Sequence, residues 1–239
     1  MHRSIENLAS ASLDAVFPRR CILCGAIVGS VPWSPAPLCT SCERTLECIR
    51  GPRCGRCGRQ LISEQDYCVE CRGEEAALSR IVPLFEFRGG AARLIHAYKI
   101  GERVSLAQYF AYKIAQEKSF SNPAPGDFFL VPVPPRPEKV RSGKLDQVGV
   151  IAEALARFGF RHRRPLVRLP GGDQQKLLDR AERLKNSSAS YALAPSGQIP
   201  GRVVLLDDVC TTGATLEACA KLLIQAGAEV IGAIVLAAD

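Results

Sequence analysis

Past residue 80 the chain alternates short apolar runs with amphipathic stretches. Ile81-Val82-Pro83-Leu84-Phe85-Glu86-Phe87 reads as a strand, and Gly89-Gly90 breaks it. Ala91 to Ile100 and Val104 to Lys118 read as helices, with Leu94, Ile95 and Tyr98 on one face. A loop at Asn122-Pro123-Ala124-Pro125-Gly126 precedes a buried strand from Phe128 to Val133. Pro132, Pro134, Pro135 and Pro137 end that strand in a stiff loop. Leu145 to Phe158 reads as a helix with Asp146 near its start, and Leu166 to Leu169 as a short strand. Then come a strand from Arg202 to Leu206, a helix from Thr215 to Ala226 and a strand from Glu229 to Ala237. Strands alternating with helices predict an α/β domain, a parallel sheet with helices on both faces. The polar segment from Pro170 to Ser196 fits the sheet poorly. With Gln174, Gln175, Lys176, Arg180, Glu182, Arg183 and Asn186, it reads as a flap or hood at the sheet edge, or as an ordinary surface loop and helix.

The first 80 residues lack this rhythm. Leu8, Leu13, Val16 and Phe17 give a short helix with one apolar side, read as packed on its own domain. No apolar run reaches the roughly 20 residues that span a bilayer, so membrane insertion is not expected. No secretory signal is read at the N-terminus, so the expected compartment is the reducing cytoplasm, where disulfides are rare. The segment is marked instead by nine of the chain's eleven cysteines, from Cys21 to Cys71. They form four Cys-x-x-Cys pairs: Cys21/Cys24, Cys39/Cys42, Cys54/Cys57 and Cys68/Cys71. Random placement would give about half of one such pair, so the pattern points to metal.

Two residues between thiolates form a tight knuckle that turns both sulfurs toward one tetrahedral ion. Glycine follows in Cys24-Gly25 and Cys57-Gly58, easing the turn. Two knuckles complete a four-cysteine site, so two structural Zn²⁺ sites are expected. The sequential pairing is the simplest, and a cross-braced pairing fits the same spacing. Four cysteines also suit an iron–sulfur cluster. Cys48 has no such partner and reads as a free thiol; Cys219 reads as packing. Polar Arg72-Gly73-Glu74-Glu75 marks a boundary, giving a cysteine-rich module at 1–75 and the α/β domain at 80–239.

The formal charge of +7 is uneven. Residues 1–80 hold 10 Lys and Arg against 9 acids, residues 81–199 hold 19 against 10, and residues 200–239 hold 2 against 5. The basic excess in the middle suits a polyanion, or is a solvated face. Two zinc–thiolate centres would each carry −2, making the module acidic and weakening any grip on DNA by charge alone. The five arginines from Arg44 to Arg59 still form a local patch.

The most specific chemistry lies in Val203-Val204-Leu205-Leu206-Asp207-Asp208-Val209-Cys210-Thr211-Thr212-Gly213-Ala214-Thr215. Four apolar residues make a strand buried on both faces. Two carboxylates sit at its carboxyl end, where open α/β sheets bind ligands. Backbone N–H groups from Thr211 to Thr215 can cradle a 5′-phosphate at the following helix N-terminus, and Gly213 allows close approach. The threonine hydroxyls add hydrogen bonds. Asp207 and Asp208 are then placed to accept from ribose 2′- and 3′-hydroxyls.

These thirteen residues resemble the phosphoribosyl-pyrophosphate signature of type I phosphoribosyltransferases, with Cys210 where an aliphatic residue is usual. The whole chain resembles the ComF (competence protein F) family, whose enteric relatives include GntX, with an N-terminal double zinc ribbon. Phe17-Pro18-Arg19-Arg20-Cys21-x-x-Cys24 resembles the family's opening, Leu94-Ile95-His96-Ala97-Tyr98-Lys99 its LIHxLK stretch, and Val131-Pro132-Val133-Pro134 its PVP strand end. Gln175, Arg183, Asn186 and Tyr191 resemble a later segment. The chain departs at Arg141-Ser142-Gly143-Lys144-Leu145-Asp146-Gln147, where the family usually has RRGFNQ. Arg136, Lys139, Arg141 and Lys144 keep that loop basic.

The resemblance implies binding of phosphoribosyl pyrophosphate with Mg²⁺, and a role in DNA uptake for natural transformation or in DNA utilisation. A transferase would displace pyrophosphate at ribose C1 with a nitrogen nucleophile, Mg²⁺ bridging pyrophosphate and ribose hydroxyls. Val209, Cys210, Ala214 and the threonines would line the ligand. Lys99, Arg136 and Lys144 are candidates to neutralise the pyrophosphate. No general base stands out; His96 is tempting, though a lone histidine on a helical pattern is more often structural. The alternative is a non-catalytic ribose-phosphate sensor or adaptor whose zinc module binds single-stranded DNA or a protein of the DNA-uptake machinery. Few aromatics accompany the basic residues, which argues against a stacking platform for bases.

Overall fold

The computed structural model describes residues 19–28, 37–46, 51–61, 65–73, 76–101, 103–117, 124–170, 190–195 and 197–239. The expected N-terminal helix, Cys48 and most of the polar flap fall outside them. The fold is a five-stranded, all-parallel sheet with helices on both faces. Its strands are β1 (Ile81–Glu86), β2 (Phe129–Pro132), β3 (Arg161–His162), β6 (Arg202–Cys210) and β7 (Glu229–Ala238), in the order β1-β7-β6-β2-β3. The middle strand is therefore β6.

Period-2 alternation along β6 divides the core. Val204 and Leu206 face one side, with Leu84, Leu130 and Leu236. There they pack on α2 (Gly89–Gly101), α3 (Val104–Ala115) and α5 (Gln147–Leu155) through Leu94, Phe110 and Ile151. Val203 and Leu205 face the other side, with Val131 and Val235, and pack on α6 (Ala214–Gln225) through Leu216, Cys219 and Leu223. A strand buried on both faces has no polar alternate position, which explains its unbroken apolar run.

Several details differ from the sequence reading. Gly89 and Gly90 begin α2 rather than separating it from β1. The proline loop contains a five-residue helix, α4 (Pro137–Arg141), with proline at its first turn, where no N–H is needed. β4 (Leu166–Arg168) leaves the main sheet and pairs antiparallel with β5 (Tyr191–Leu193). β6 runs past its apolar residues to Cys210, because β7 continues the ladder at Asp207–Val235, Val209–Ala237 and Cys210–Ala238. No helix among the described residues is long and apolar enough to cross a membrane.

The knuckles pack on this domain in two different places. Near the first pair lies α1 (Thr40–Arg44), which follows Cys39. Cys21, Leu38 and Leu46 join the core of α2 and α3, and Glu43 pairs with Lys113 at 2.6 Å. The second pair forms its own small core of Cys54, Cys57, Leu61 and Cys71 and abuts β1: Ile81 N–H donates to Arg56 O at 2.6 Å, and Arg53 Nη1 to Pro83 O at 3.2 Å.

Candidate functional site

The eight clustered cysteines meet in two groups, Cys21/Cys24/Cys39/Cys42 and Cys54/Cys57/Cys68/Cys71, so the pairing is sequential rather than cross-braced. In each group all sulfurs lie within 4.8 Å of one another. Cys24 and Cys39 sulfurs are 3.7 Å apart, and those of Cys57 and Cys68 are 3.8 Å apart. A tetrahedron of Zn–S bonds of about 2.3 Å has edges of about 3.8 Å, so both groups fit zinc. N–H donors already face the sulfurs: Cys42 N to Cys39 Sγ at 3.5 Å, Cys68 N to Cys54 Sγ at 3.4 Å and Arg59 Nε to Cys57 Sγ at 3.5 Å. Burial pushes Cys21 and Cys54 up, but surrounding N–H donors outweigh it and bring both down to about 6. Such donors favour thiolate, the form a metal binds. With four sulfurs in each group, neither leaves a protein-free coordination position, which is the pattern of structural zinc.

The second constellation opens at the carboxyl end of the sheet. A cleft of about 370 Å³ is lined by Lys99, Arg136, Lys139, Gln147, Arg168, Tyr191, Asp207, Asp208, Val209 and Thr215, among others. Asp207 and Asp208 lie on β6, and each carboxylate accepts from the next residue's backbone: Asp208 N donates to Asp207 Oδ1 at 2.8 Å and Val209 N to Asp208 Oδ1 at 2.6 Å. Burial first, then the Asp208 carboxylate, push Asp207 up to about 8. Two carboxylates this close resist ionising together. Lys99 answers the charge, its Nζ 2.8 Å from Asp208 Oδ2.

Lys99 is held from behind. Gln147 Nε2 donates to Lys99 O at 3.1 Å, and Tyr98 Oη donates to Gln147 O at 2.7 Å. Gln147 is one of two buried polar side chains among the described residues, and it spends its amide on the backbone that carries Lys99. Asp146, just before it, caps α5 by accepting from Gly149 N at 3.0 Å and pairs with Arg164 at 2.5 Å.

At the other end of the cleft, Gly213 adopts a left-handed conformation with φ of +75° and starts α6. The first-turn N–H groups of a helix have no partner within it, and here they follow the acid pair directly. Tyr191 and Thr215 line the same cleft, so the β4–β5 pair and the first turn of α6 border it together. Arg168 lies over the Tyr191 ring at 5.4 Å, and its charge draws Asp207 down. Cys210 is buried, and desolvation followed by the neighbouring Asp207 pushes its thiol up to about 12. It therefore packs as an apolar residue, which is how it stands in for an aliphatic side chain.

The structure thus brings Asp207, Asp208, Val209, Thr215, Lys99 and Arg136 into one cleft. Cys210, Thr211, Thr212 and Gly213 line a second, smaller cavity together with Cys57 and Cys71, and Ala214 is buried at the helix start. Lys144 is not beside the acid pair. It lines an adjoining pocket of about 630 Å³ with Pro137, Arg141 and Arg164. His96 is exposed, its ring tilted 32° to that of Phe87 at 6.3 Å, and it does not line the cleft. The sequence reading gave no individual role to Gln147, Arg168 or Tyr191, and named Lys139 only among the residues that keep its loop basic. Gln147 and Tyr191 stood in stretches that carried the resemblance, but Arg168 had no signal beyond its place in a short apolar run.

Comparisons with known proteins agree with this two-part construction. The Double zinc ribbon domain family matches residues 12–72, which hold all eight clustered ligands. The Phosphoribosyl transferase domain family matches residues 180–239, which hold β6, the Thr211–Thr215 loop and α6. Competence protein F of Haemophilus influenzae is 26% identical over 222 residues, covering 90% of this chain and 95% of its own. Competence protein ComFC of Bacillus subtilis is 29% identical over 208 residues, covering 80% and 79%. DNA utilization protein YhgH of Salmonella typhi is 25% identical over 224 residues, covering 90% and 94%.

Proposed function

We propose that this chain, a ComF-family protein joining a double zinc ribbon to a phosphoribosyl transferase domain, binds phosphoribosyl pyrophosphate with Mg²⁺ in the cleft at the end of β6. One observation carries the reading. The acid pair, a lysine, an arginine and the start of α6 share one cleft, so hydroxyl-binding and anion-binding groups line the same space. The N–H groups and hydroxyls from Thr211 to Thr215 take the 5′-phosphate. Asp207 and Asp208 accept from the ribose hydroxyls. Arg136 and Lys139 face the pyrophosphate, and Lys99 moves between Asp208 and that anion.

Mg²⁺ prefers a few carboxylate oxygens plus substrate and water oxygens, and an acid pair in which burial and then mutual repulsion raise Asp207 to about 8 suits a cation. When bound, the ion would neutralise charge building on the leaving pyrophosphate. Among the described residues no histidine lines the cleft, so the chain's own contribution to transfer is read as positioning and fixed charge. The same fact favours a second reading, a sensor that binds the ligand without turnover. Pyrophosphate release from a panel of nitrogen bases separates them: release supports the transferase, and tight binding without release supports the sensor. The eight thiolates needed for two zinc sites suit the cytoplasm. A use in DNA uptake or DNA utilisation is supported by the names of the relatives, competence proteins and a DNA utilization protein.

A further inference from the structure

The two zinc ribbons stand in unequal relation to the ribose-phosphate loop. The first sits against α2 and α3: Glu43 meets Lys113, and Thr45 and Leu46 lie against Gly90. The second sits behind the loop. A cavity of about 60 Å³ is all that separates them, lined by Cys57 and Cys71 on one side and by Cys210, Thr211, Thr212 and Gly213 on the other. Two physical paths cross this gap. Gly58, next to ligand Cys57, has φ of +70° and is pressed on β1 so closely that a Cβ there would overlap Pro83 Cδ and the Ile81 carbonyl. Ile81 reaches on to the loop, its Cδ1 3.6 Å from where a Cβ of Gly213 would lie. The second path is the linker. Ala77 N and Leu78 N donate to the Glu217 carboxylate, at 2.7 and 3.2 Å, in the first turn of α6.

We propose that metal binding at Cys54/Cys57/Cys68/Cys71 and ligand binding at the Thr211–Thr215 loop are thermodynamically coupled through Gly58, Ile81 and Gly213, while the first zinc ribbon is uncoupled. The second ribbon is a positioning element: filled, its knuckle holds β1 and Ile81 against the loop, and the loop's N–H groups stay aimed at the phosphate. Packed contacts of this kind transmit small displacements because the interior is nearly incompressible. Coupling is reciprocal, so the ligand must hold the second metal as strongly as that metal holds the ligand. The proposal rests on the reading of the loop as a ribose-phosphate site.

The two knuckles supply their own control. Gly25 of the first has φ of +73°, nearly that of Gly58, but open space where its Cβ would be. Alanine therefore imposes the same backbone strain at both positions and a collision only at Gly58. The zinc-loaded full chain is titrated with phosphoribosyl pyrophosphate and Mg²⁺. Zinc release to a chromophoric chelator is followed with and without that ligand, Mg²⁺ alone serving as blank. In the native chain the ligand should slow release of one zinc of two, about tenfold, equivalent to ~1.4 kcal/mol of coupling. Gly58→Ala should weaken ligand binding by a similar factor and abolish the protection, whereas Gly25→Ala should leave both within about twofold. If Gly58→Ala does not fold, the release kinetics of the native chain decide alone. Equal effects on both zincs, no effect on either, or Gly58→Ala binding like Gly25→Ala would overturn the coupling while leaving the ligand site standing. A native, zinc-loaded chain that does not bind the ligand at all would overturn both.

Discussion

Replacing Asp207 by asparagine separates what the acid pair does for a ligand from what it does to the fold. Burial and the Asp208 carboxylate lift Asp207 from 3.8 to about 8. In the unfolded chain the same carboxyl titrates near its ordinary value. Between about pH 4 and pH 8 the folded protein therefore holds a proton that the unfolded chain has released. Stability changes with pH as the difference in protons bound, so it falls across this window as pH rises, and is fully reduced above about 8. About four units at 1.36 kcal/mol each set a ceiling of ~6 kcal/mol. Relaxation and water entry around the charged pair leave ~2–3 kcal/mol as the expected size. Asparagine keeps the acceptor that Asp208 N uses at 2.8 Å but carries no charge. Thermal melts of the ligand-free, zinc-loaded protein from pH 5.5 to 9 provide the assay. The variant and the native chain should melt together at the acid end. By pH 9 the variant should be higher by roughly 5–10 °C, at ~2–4 °C per kcal/mol for a domain of this size. The zinc sites are common to both proteins and cancel in the difference. A gap that does not grow with pH, or a variant that is less stable at pH 9, would refute the assignment of a raised, half-buried acid at this position.

Other perturbations test neighbouring parts of the account. Lys99→Met removes the cation 2.8 Å from Asp208 and should move the pH midpoint of Mg²⁺-dependent ligand binding upward, read by titration across pH. Asp146→Ala loses both the α5 cap and the Arg164 pair and should cost ~0.5–2 kcal/mol in a denaturant melt, whereas Asp146→Asn keeps the cap and should cost less. Leu205→Ala opens a hole in the fully buried centre of β6 and should cost ~2–5 kcal/mol. Metal analysis should return about two zinc per chain, each released only as its own four-cysteine group is broken.

What the sequence made legible follows from how local each signal is. The knuckles need two residues between ligands, so the four pairs were visible as spacing, but which pairs share an ion depends on distances that only the fold supplies. Val203 to Leu206 declared a strand buried on both faces, yet its continuation through Asp207 and Cys210 comes from β7 pairing across it. The partner of β4 lies more than twenty residues away, and three-residue strands have too little pattern to announce their pairing, so Leu166 to Arg168 read as part of the main sheet. Lys144 was read with Arg136 because both are basic and close in sequence. Helix α4 turns the chain between them and sends Lys144 to the adjoining pocket. Arg168 and Lys139 reach the cleft through that same irregular region, where neither periodicity nor motif assigns direction. The seating of the second ribbon behind the Thr211–Thr215 loop left only one mark in the sequence, the glycine after Cys57, and the same mark stands at Gly25, where nothing is packed against it.

The central claim is that Asp207 to Thr215 form a site for a pyrophosphorylated ribose phosphate. Calorimetric titration of the zinc-loaded chain with phosphoribosyl pyrophosphate and Mg²⁺, beside the Asp207→Asn/Asp208→Asn double variant, tests it most directly. The account predicts saturable, Mg²⁺-dependent binding by the native chain, weakened at least about tenfold in a double variant that still melts cooperatively, the loss of ~1.4 kcal/mol or more expected when two ligand-facing carboxylates are removed. Absence of binding by the native chain, or equal affinity in the double variant, would contradict it.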